Sequence, residues 1–165
     1  MKKILSILII VLCSFTTFAQ EEVTTYYFIR HAEKVRTDKA NRNPNLNADG
    51  LKRAKKWSQV FKNVKFDAVY STNYNRTKQT AKPTADSKNL TIKMYNPRAM
   101  YDADFKANTK GKTVLIVGHS NTTPVFVNKI LGNIKYGLID DKNNANLYIV
   151  TITKGKVTDL LLKVD

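Results

Sequence analysis

The chain has 165 residues, of which 28 are basic and 13 acidic, and its formal net charge is +15. Its length is that of one domain, and its 42% hydrophobic and 25% charged residues are ordinary for a folded globular protein. These values exclude a disordered tail, a collagen-like chain and a disulfide scaffold. The excess of positive charge indicates anionic partners, which are nucleic acid, anionic lipid or phosphorylated small molecules.

The first residues have the pattern of a secretory signal peptide. Lys2 and Lys3 form a basic start, and residues 4–12 form a short apolar stretch. Thr17 and Ala19 then place small residues at the two positions that a signal peptidase reads. This pattern predicts cleavage after Ala19.

Cleavage there divides the chain into a signal peptide, residues 1–19, and a mature domain, residues 20–165, that is exported and is periplasmic or secreted. A membrane anchor is less favoured, because the apolar stretch is short for a span of roughly 20 residues. A lipoprotein is less favoured too, because Leu12 stands before Cys13 where a small residue is required. The mature chain would keep 26 basic and 13 acidic residues, a net charge of +13, and no cysteine.

The remaining sequence alternates between strand and helix patterns. Runs of β-branched and aromatic residues predict strands, and apolar residues on one helical face predict helices. In chain order the predicted elements are a strand over 23–29, a helix over 47–62, a strand over 66–70, a helix over 73–86 that Pro83 ends or bends, strands over 90–95 and 113–117, a helix over 122–131, and strands over 146–153 and 156–163. This order predicts an α/β fold, a three-layer α/β/α sandwich with a mainly parallel central sheet and an antiparallel edge.

Two histidines and two arginines fall at the predicted carboxyl ends of these strands. His31 follows Arg30 directly after the first strand, and His119 follows the strand over 113–117. Arg76 lies just beyond the strand over 66–70. Ligands of such folds bind beyond the carboxyl ends of the strands, so these side chains are expected to meet there.

This set of residue types is suited to phosphoryl transfer. A neutral imidazole can attack phosphorus and form a covalent intermediate, and guanidinium groups bind phosphate oxygens and stabilise the transition state. Two nearby arginines also lower a histidine pKa and keep the nucleophile unprotonated. A lone histidine is more often a structural side chain, but that interpretation does not account for both histidines standing at matching strand ends.

Four segments in sequence order resemble the motifs of the histidine phosphatase superfamily, the phosphoglycerate mutase-like proteins. Residues 30–32, Arg-His-Ala, are similar to its Arg-His-Gly motif, and residues 46–54 are similar to its Leu-Thr-x-x-Gly segment with the following alanine. Residues 70–81 resemble its Ser-Ser/Thr motif with a following arginine and Thr-Ala, and residues 118–120 resemble its second-histidine motif.

The resemblance implies a role for each matching residue. His31 would be the nucleophile that becomes phosphorylated, Arg30 and Arg76 would hold the phosphoryl oxygens, and His119 would donate to the same group. It also implies an enzyme that needs no metal and no organic cofactor. The implied activity is that of an exported phosphomonoesterase acting on a small anionic phosphorylated substrate.

The sequence departs from the family pattern where a general acid would be expected. Ala32 replaces the glycine of the first motif, and Ser120 stands where the acid-phosphatase branch has an aspartate. By elimination and position we predict Asp102 as the acid, with Asp104, Glu33 or no residue as the alternatives. The two aspartates could also simply cap a short helix.

Other functions are less favoured but stay open. They are a phosphohistidine phosphatase, a catalytically silent domain that binds polyanions, and a phosphoglycerate mutase, which export argues against. Nucleic acid is not favoured as the ligand, because the lysines are scattered along the chain and do not form one basic stripe. The sequence specifies neither the physiological substrate nor the oligomeric state.

Overall fold

The structure, a computed structural model, describes residues 22–164. This part of the chain contains six strands and four helices in an alternating order. The elements are β1 (Val23–Arg30), α1 (Ala48–Val60), β2 (Ala68–Ser71), α2 (Asn75–Ser87), β3 (Ile92–Met94), α3 (Ala103–Thr109), β4 (Thr113–Gly118), α4 (Thr122–Leu131), β5 (Asn146–Thr153) and β6 (Lys156–Lys163). The predicted signal peptide lies outside the described residues.

All six strands form one sheet in the order β3-β2-β4-β1-β5-β6. The first four strands in this order are mutually parallel, whereas β5 and β6 are antiparallel and form one edge. The predicted mainly parallel sheet with an antiparallel edge is therefore confirmed. Because β1 and β4 are adjacent and parallel, Arg30 pairs with Gly118 in register, and the residues after both strands emerge side by side.

Each face of the sheet is covered by a pair of helices, which confirms the three-layer sandwich. Side chains alternate between the faces along the central strands, as the pleat of a β-strand requires. Tyr26 and Phe28 of β1 pack with Phe105 of α3 and Phe126 of α4, whereas Ile29 packs on the opposite face. The core residues on that opposite face are Trp57 of α1, Phe61 directly after α1, and Ala81 and Ala85 of α2.

The helix predicted over 73–86 is observed as α2. Pro83 lies inside it and does not end it, because Thr80, Ala81 and Thr84 around it are completely buried and hold this segment against the core. The short helix α3 was not among the predicted elements. It has only seven residues, which is too short for a clear apolar period.

The segment after β1 is fixed to the start of α1. Lys34 forms an isolated antiparallel bridge with Leu46, and the backbone N–H of Asn47 donates to the Glu33 carbonyl at 3.0 Å. Gly50, in the first turn of α1, lies so close that a Cβ atom there would stand 2.0 Å from the same Glu33 oxygen. The glycine of this motif is thus required by a close backbone approach.

Helices long and apolar enough to cross a membrane do not occur between residues 22 and 164.

Candidate active site

The parallel pairing of β1 with β4 brings the two histidines together. The backbone N–H of His31 donates to the Gly118 carbonyl at 2.9 Å, which continues the strand ladder by one residue. The imidazole rings of His31 and His119 lie with their centroids 5.5 Å apart. Strand ends that share one edge of the sheet thus place the two rings side by side, as the sequence predicts.

His31 is buried, with 3% of its surface exposed, and its ring is held in one orientation. Its Nδ1 lies 2.7 Å from the carbonyl oxygen of Ala32. Since a carbonyl only accepts, Nδ1 carries the proton and Nε2 keeps a free lone pair. The backbone around the ring is held too, because Asn144 donates its side-chain amide to the His31 carbonyl at 2.7 Å.

Both imidazoles are neutral at physiological pH. The pKa of His31 is lowered from 6.5 to about 3, mainly by burial and also by His119, Arg30 and Arg76, against the raising effect of its hydrogen bond to Ala32. The pKa of His119 is lowered to about 4, mainly by burial and also by the charges of Arg76, Arg30 and Lys34. The arginines act in the predicted direction, but burial is the larger cause.

His119 is positioned by side chains that follow β2. Its Nδ1 faces an amine nitrogen of Arg76 at 3.4 Å, and its Nε2 lies 2.9 Å from the hydroxyl of Thr72. Because arginine only donates, Nδ1 must be unprotonated and Nε2–H donates to Thr72. The Tyr74 ring packs edge-on against the imidazole, with centroids 5.1 Å apart.

Arg30 is 2% exposed and makes most of its contacts with the loop before β5. One amine nitrogen donates to the carbonyls of Asp140, Asp141 and Asn143 at 2.8, 3.1 and 3.0 Å. The other forms an ion pair of 2.8 Å with the Asp141 carboxylate. A buried charge is costly unless it is paired, and the protein itself supplies most of the acceptors for Arg30.

Arg76 is bound more loosely than Arg30. Its guanidinium stacks on the Tyr74 ring at 4.4 Å and donates to the Arg42 carbonyl at 3.3 Å. In both arginines the Nε atom is buried and has no hydrogen-bond partner among the described residues. A buried donor without an acceptor is costly, so both atoms are suited to an anion that enters the site.

The predicted general acids have other partners. Asp102 caps α3, its carboxylate accepting from the Phe105 N–H at 2.8 Å, and no described hydrogen bond or ion pair joins it to either histidine. Glu33 forms an ion pair of 2.7 Å with Arg53. Asp104 is exposed in the first turn of α3. The acid role of Asp102 stays a prediction.

Three residues that help to position the site did not emerge from the sequence as such. Asn144 and Asp141 belong to a loop without any recognisable pattern, far from His31 in the chain. Thr72 has a weak signal, since it directly follows Ser71 at the end of β2, at the same sheet edge as the histidines. Within residues 22–164 no group of three or more His, Cys, Asp or Glu is arranged to hold a metal ion.

The model of the histidine phosphatase superfamily, branch 1, matches residues 26–96, which include Arg30, His31 and Arg76 but not His119. Comparison with curated proteins gives no significant match.

Solved structures of similar fold cover nearly the whole described chain. The protein histidine phosphatase SixA, solved with tungstate, is 15% identical with a TM-score of 0.66, over 84% of this chain and 96% of that one. The α-ribazole phosphatase of Shigella flexneri is 15% identical with a TM-score of 0.63, over 84% and 96%. The phosphoglycerate mutase of Bacillus anthracis is 14% identical with a TM-score of 0.64, over 86% and 93%.

At these low identities the structural similarity supports the fold alone. The family model and the paired histidines support the family. The motifs in order, the sheet topology and the family model over residues 26–96 agree with one another, and together they support the histidine phosphatase superfamily as the family that this chain resembles.

Proposed function

We propose that this protein is a metal-independent phosphomonoesterase that acts through a phosphohistidine on His31. The observation that supports it most is the fixed tautomer of that residue. The Ala32 carbonyl holds the proton on Nδ1, so Nε2 offers its lone pair beside His119 and the two arginines.

In the first step Nε2 of His31 attacks the phosphorus atom, and the bond from phosphorus to the ester oxygen breaks with its electron pair on that oxygen, so the alcohol or phenol leaves as its anion and takes a proton from solvent. The Nε atoms of Arg30 and Arg76 are the free donors for the oxygens of the transferring group, whose charge they would stabilise. In the second step water attacks the phosphorus of the phosphohistidine and gives up one proton to solvent, the phosphorus–Nε2 bond breaks, and inorganic phosphate and the neutral imidazole are released.

His119 supports the same group by changing its protonation. In the free protein its only N–H donates to Thr72, and its Nδ1 faces Arg76. A bound dianion would raise the lowered pKa of His119, since a nearby negative charge favours the protonated form. The doubly protonated ring then keeps its bond to Thr72 and donates from Nδ1 to a phosphoryl oxygen.

A second candidate is a phosphohistidine phosphatase. The contacts of the carboxylates favour it, since Asp102 caps a helix and Glu33 is paired with Arg53. Without a positioned acid, the enzyme would act best on substrates whose leaving group needs little help from a proton donor. Aryl phosphates and phosphoramidates, including phosphohistidine, meet that condition.

Trapping the intermediate tests the mechanism. The chain has only two histidines, so brief reaction with a labelled aryl phosphate and a quench in alkali must place the phosphate on one or the other. We expect the label on His31, loss of turnover by at least about a hundredfold in His31→Ala, and no effect of EDTA. A label on His119, or inactivation by EDTA, would contradict the proposal. His119→Ala is the matched control, which should still accept the label, though more slowly.

We further propose that the mature protein is exported after removal of residues 1–19. The support is the sequence pattern alone, with its basic start, short apolar stretch and small residues before position 20. Intact-mass measurement of protein from the periplasm or medium should give a chain that begins at Gln20, and a chain that still begins at Met1 would reject export.

A further inference from the structure

A cavity of about 610 Å³, lined by polar and charged residues, lies beside the segments that hold Arg30 and His31 in place. It lies between the segment after β1 and the loop before β5. Asn144 in its wall donates to the His31 carbonyl, and Asp141 in its wall is the carboxylate partner of Arg30. The cavity thus shares a wall with the site of phosphoryl transfer, and its volume suits a small molecule.

The cavity has more positive charge than its own carboxylates can balance. Its basic side chains are Lys34, Arg36 and Lys142, and its acidic side chains are Glu33 and Asp141. Both carboxylates already have basic partners. Glu33 is paired with Arg53 at 2.7 Å, and Asp141 is shared between Arg30 at 2.8 Å and Arg36 at 2.7 Å.

Among the described residues neither Lys34 nor Lys142 makes an ion pair. Lys34 is half-buried, and its pKa is lowered by burial and by the charges of Arg76, Arg36 and Arg30, against the raising effect of Asp141. Lys34 also lowers the pKa of His119, so it stands within electrostatic range of both the cavity and the site. Crowded cations repel one another, and an anion bound among them would remove that repulsion.

We propose that this cavity binds a second anionic group of the substrate, and that the substrates are small phosphate monoesters that carry a second phosphate. This assignment rests on the proposed function, because it assumes that the first phosphate is transferred to His31. A second phosphate is favoured over a carboxylate because two unpaired lysines and Arg36 face the same space, and a dianion matches them better than a single charge does.

Two aryl substrates test the proposal without requiring a general acid. They are phenyl phosphate, which has one anionic group, and 1,4-phenylene bisphosphate, which has two. We expect the wild type to prefer the bisphosphate in kcat/KM by about tenfold, since an exposed ion pair contributes roughly two- to fivefold and two lysines act together. The double variant Lys34→Met/Lys142→Met should lose most of that preference, and higher salt should reduce it in the wild type.

Lys65→Met is the matched control. Lys65 is an exposed lysine before β2, so it lies at the amino ends of the parallel strands, away from the site at their carboxyl ends. It removes the same kind of charge and should keep the preference. A wild type that does not prefer the bisphosphate, an equal loss in Lys65→Met, or a stronger preference for 4-carboxyphenyl phosphate would overturn the assignment.

Binding separates this proposal from the proposed function. If the wild type hydrolyses neither aryl substrate, the proposed function fails, and calorimetry with pyrophosphate and inorganic phosphate still tests the cavity. Tighter binding of pyrophosphate that is lost in the lysine double variant supports the second anion site. Equal binding of the two anions, or a preference that survives in the double variant, rejects it.

Discussion

Asp102 holds the first turn of α3 with its carboxylate, and this contact makes its two possible roles separable at a single residue. Asparagine caps a helix about as well as aspartate, but it cannot donate a carboxylic proton. Asp102→Asn should therefore leave stability within a few tenths of a kcal/mol, whereas Asp102→Ala should cost about 1 kcal/mol in urea unfolding.

Hydrolysis by the same variants decides the acid role of Asp102. If the residue only caps α3, Asp102→Asn keeps the wild-type ratio of alkyl to aryl phosphate hydrolysis. A selective loss of alkyl phosphate hydrolysis in Asp102→Asn, with stability intact, would establish Asp102 as the acid. Asp104→Asn, which changes the neighbouring exposed carboxylate, is the control for an effect of charge alone.

At the scale of elements, α1 and the segment after β1 meet at a point with no room for a side chain. A Cβ atom at Gly50 would stand 2.0 Å from the Glu33 carbonyl oxygen, and neither backbone can move without shifting the helix or the bridge beside His31. Overpacking of this kind costs about 1–3 kcal/mol or more. Gly50→Ala should therefore unfold at a lower urea concentration and lose activity as well.

Gly137→Ala is the matched control for that substitution. A Cβ atom at Gly137 would meet nothing within 4 Å, and its φ lies outside the positive range that disfavours alanine. We expect its stability to stay within about 0.5 kcal/mol of the wild type. Equal free energies of unfolding for the two variants would contradict this prediction, because they would show that the segment after β1 can shift at little cost.

At the scale of the whole molecule, the two buried histidines make stability depend on pH. Their folded pKa values, about 3 and about 4, lie below the ordinary 6.5, so the unfolded chain binds more protons between these limits. The contribution of these histidines to the free energy of unfolding is therefore fully present above about pH 6.5. It decreases as the pH falls towards 4, by up to about 1.4 kcal/mol for each group and each unit by which its pKa is lowered.

Urea unfolding at pH 7.5, 6 and 5 in phosphate-free buffer measures this dependence. The double variant His31→Ala/His119→Asn should give a flatter profile, and an equally flat profile in the wild type would contradict the burial of the neutral rings. Asp141 acts in a separate window. Its pKa is held at about 2 by Arg36 and Arg30, so its contribution is lost only between about pH 3.8 and 2.

The sequence was sufficient for the sheet and for the meeting of the histidines. Runs of β-branched and aromatic residues indicated the strands, and neighbouring parallel strands end at the same edge of a sheet, so His31 and His119 were expected to lie together. The helix predicted over 73–86 continues through Pro83 as α2. The pattern failed at α3, which is too short to show a period.

The loop residues that line the site could not be predicted from the sequence, for a different reason. The loop that contains Asp141 and Asn144 has no regular structure, and its position is determined by its bonds to Arg30 and His31 more than 100 residues away. Such contacts are specific in three dimensions but leave no periodic trace in the chain. The unpaired lysines of the cavity became visible only once the partners of Glu33 and Asp141 were known.

Arg30 and Arg76 share a role in the proposed mechanism but differ in what else they do in the fold. Arg30 joins the end of β1 to residues 140–143 with four hydrogen bonds, and a lysine, with three donors on a flexible stem, cannot replace that geometry. Arg76 contacts the Tyr74 ring, the Arg42 carbonyl and Nδ1 of His119, so we expect its retention to depend mainly on catalysis. If a related protein lost phosphoryl transfer, we would expect Arg76 to be substituted first. Arg30 would be retained, because it holds the loop of residues 140–143 in place.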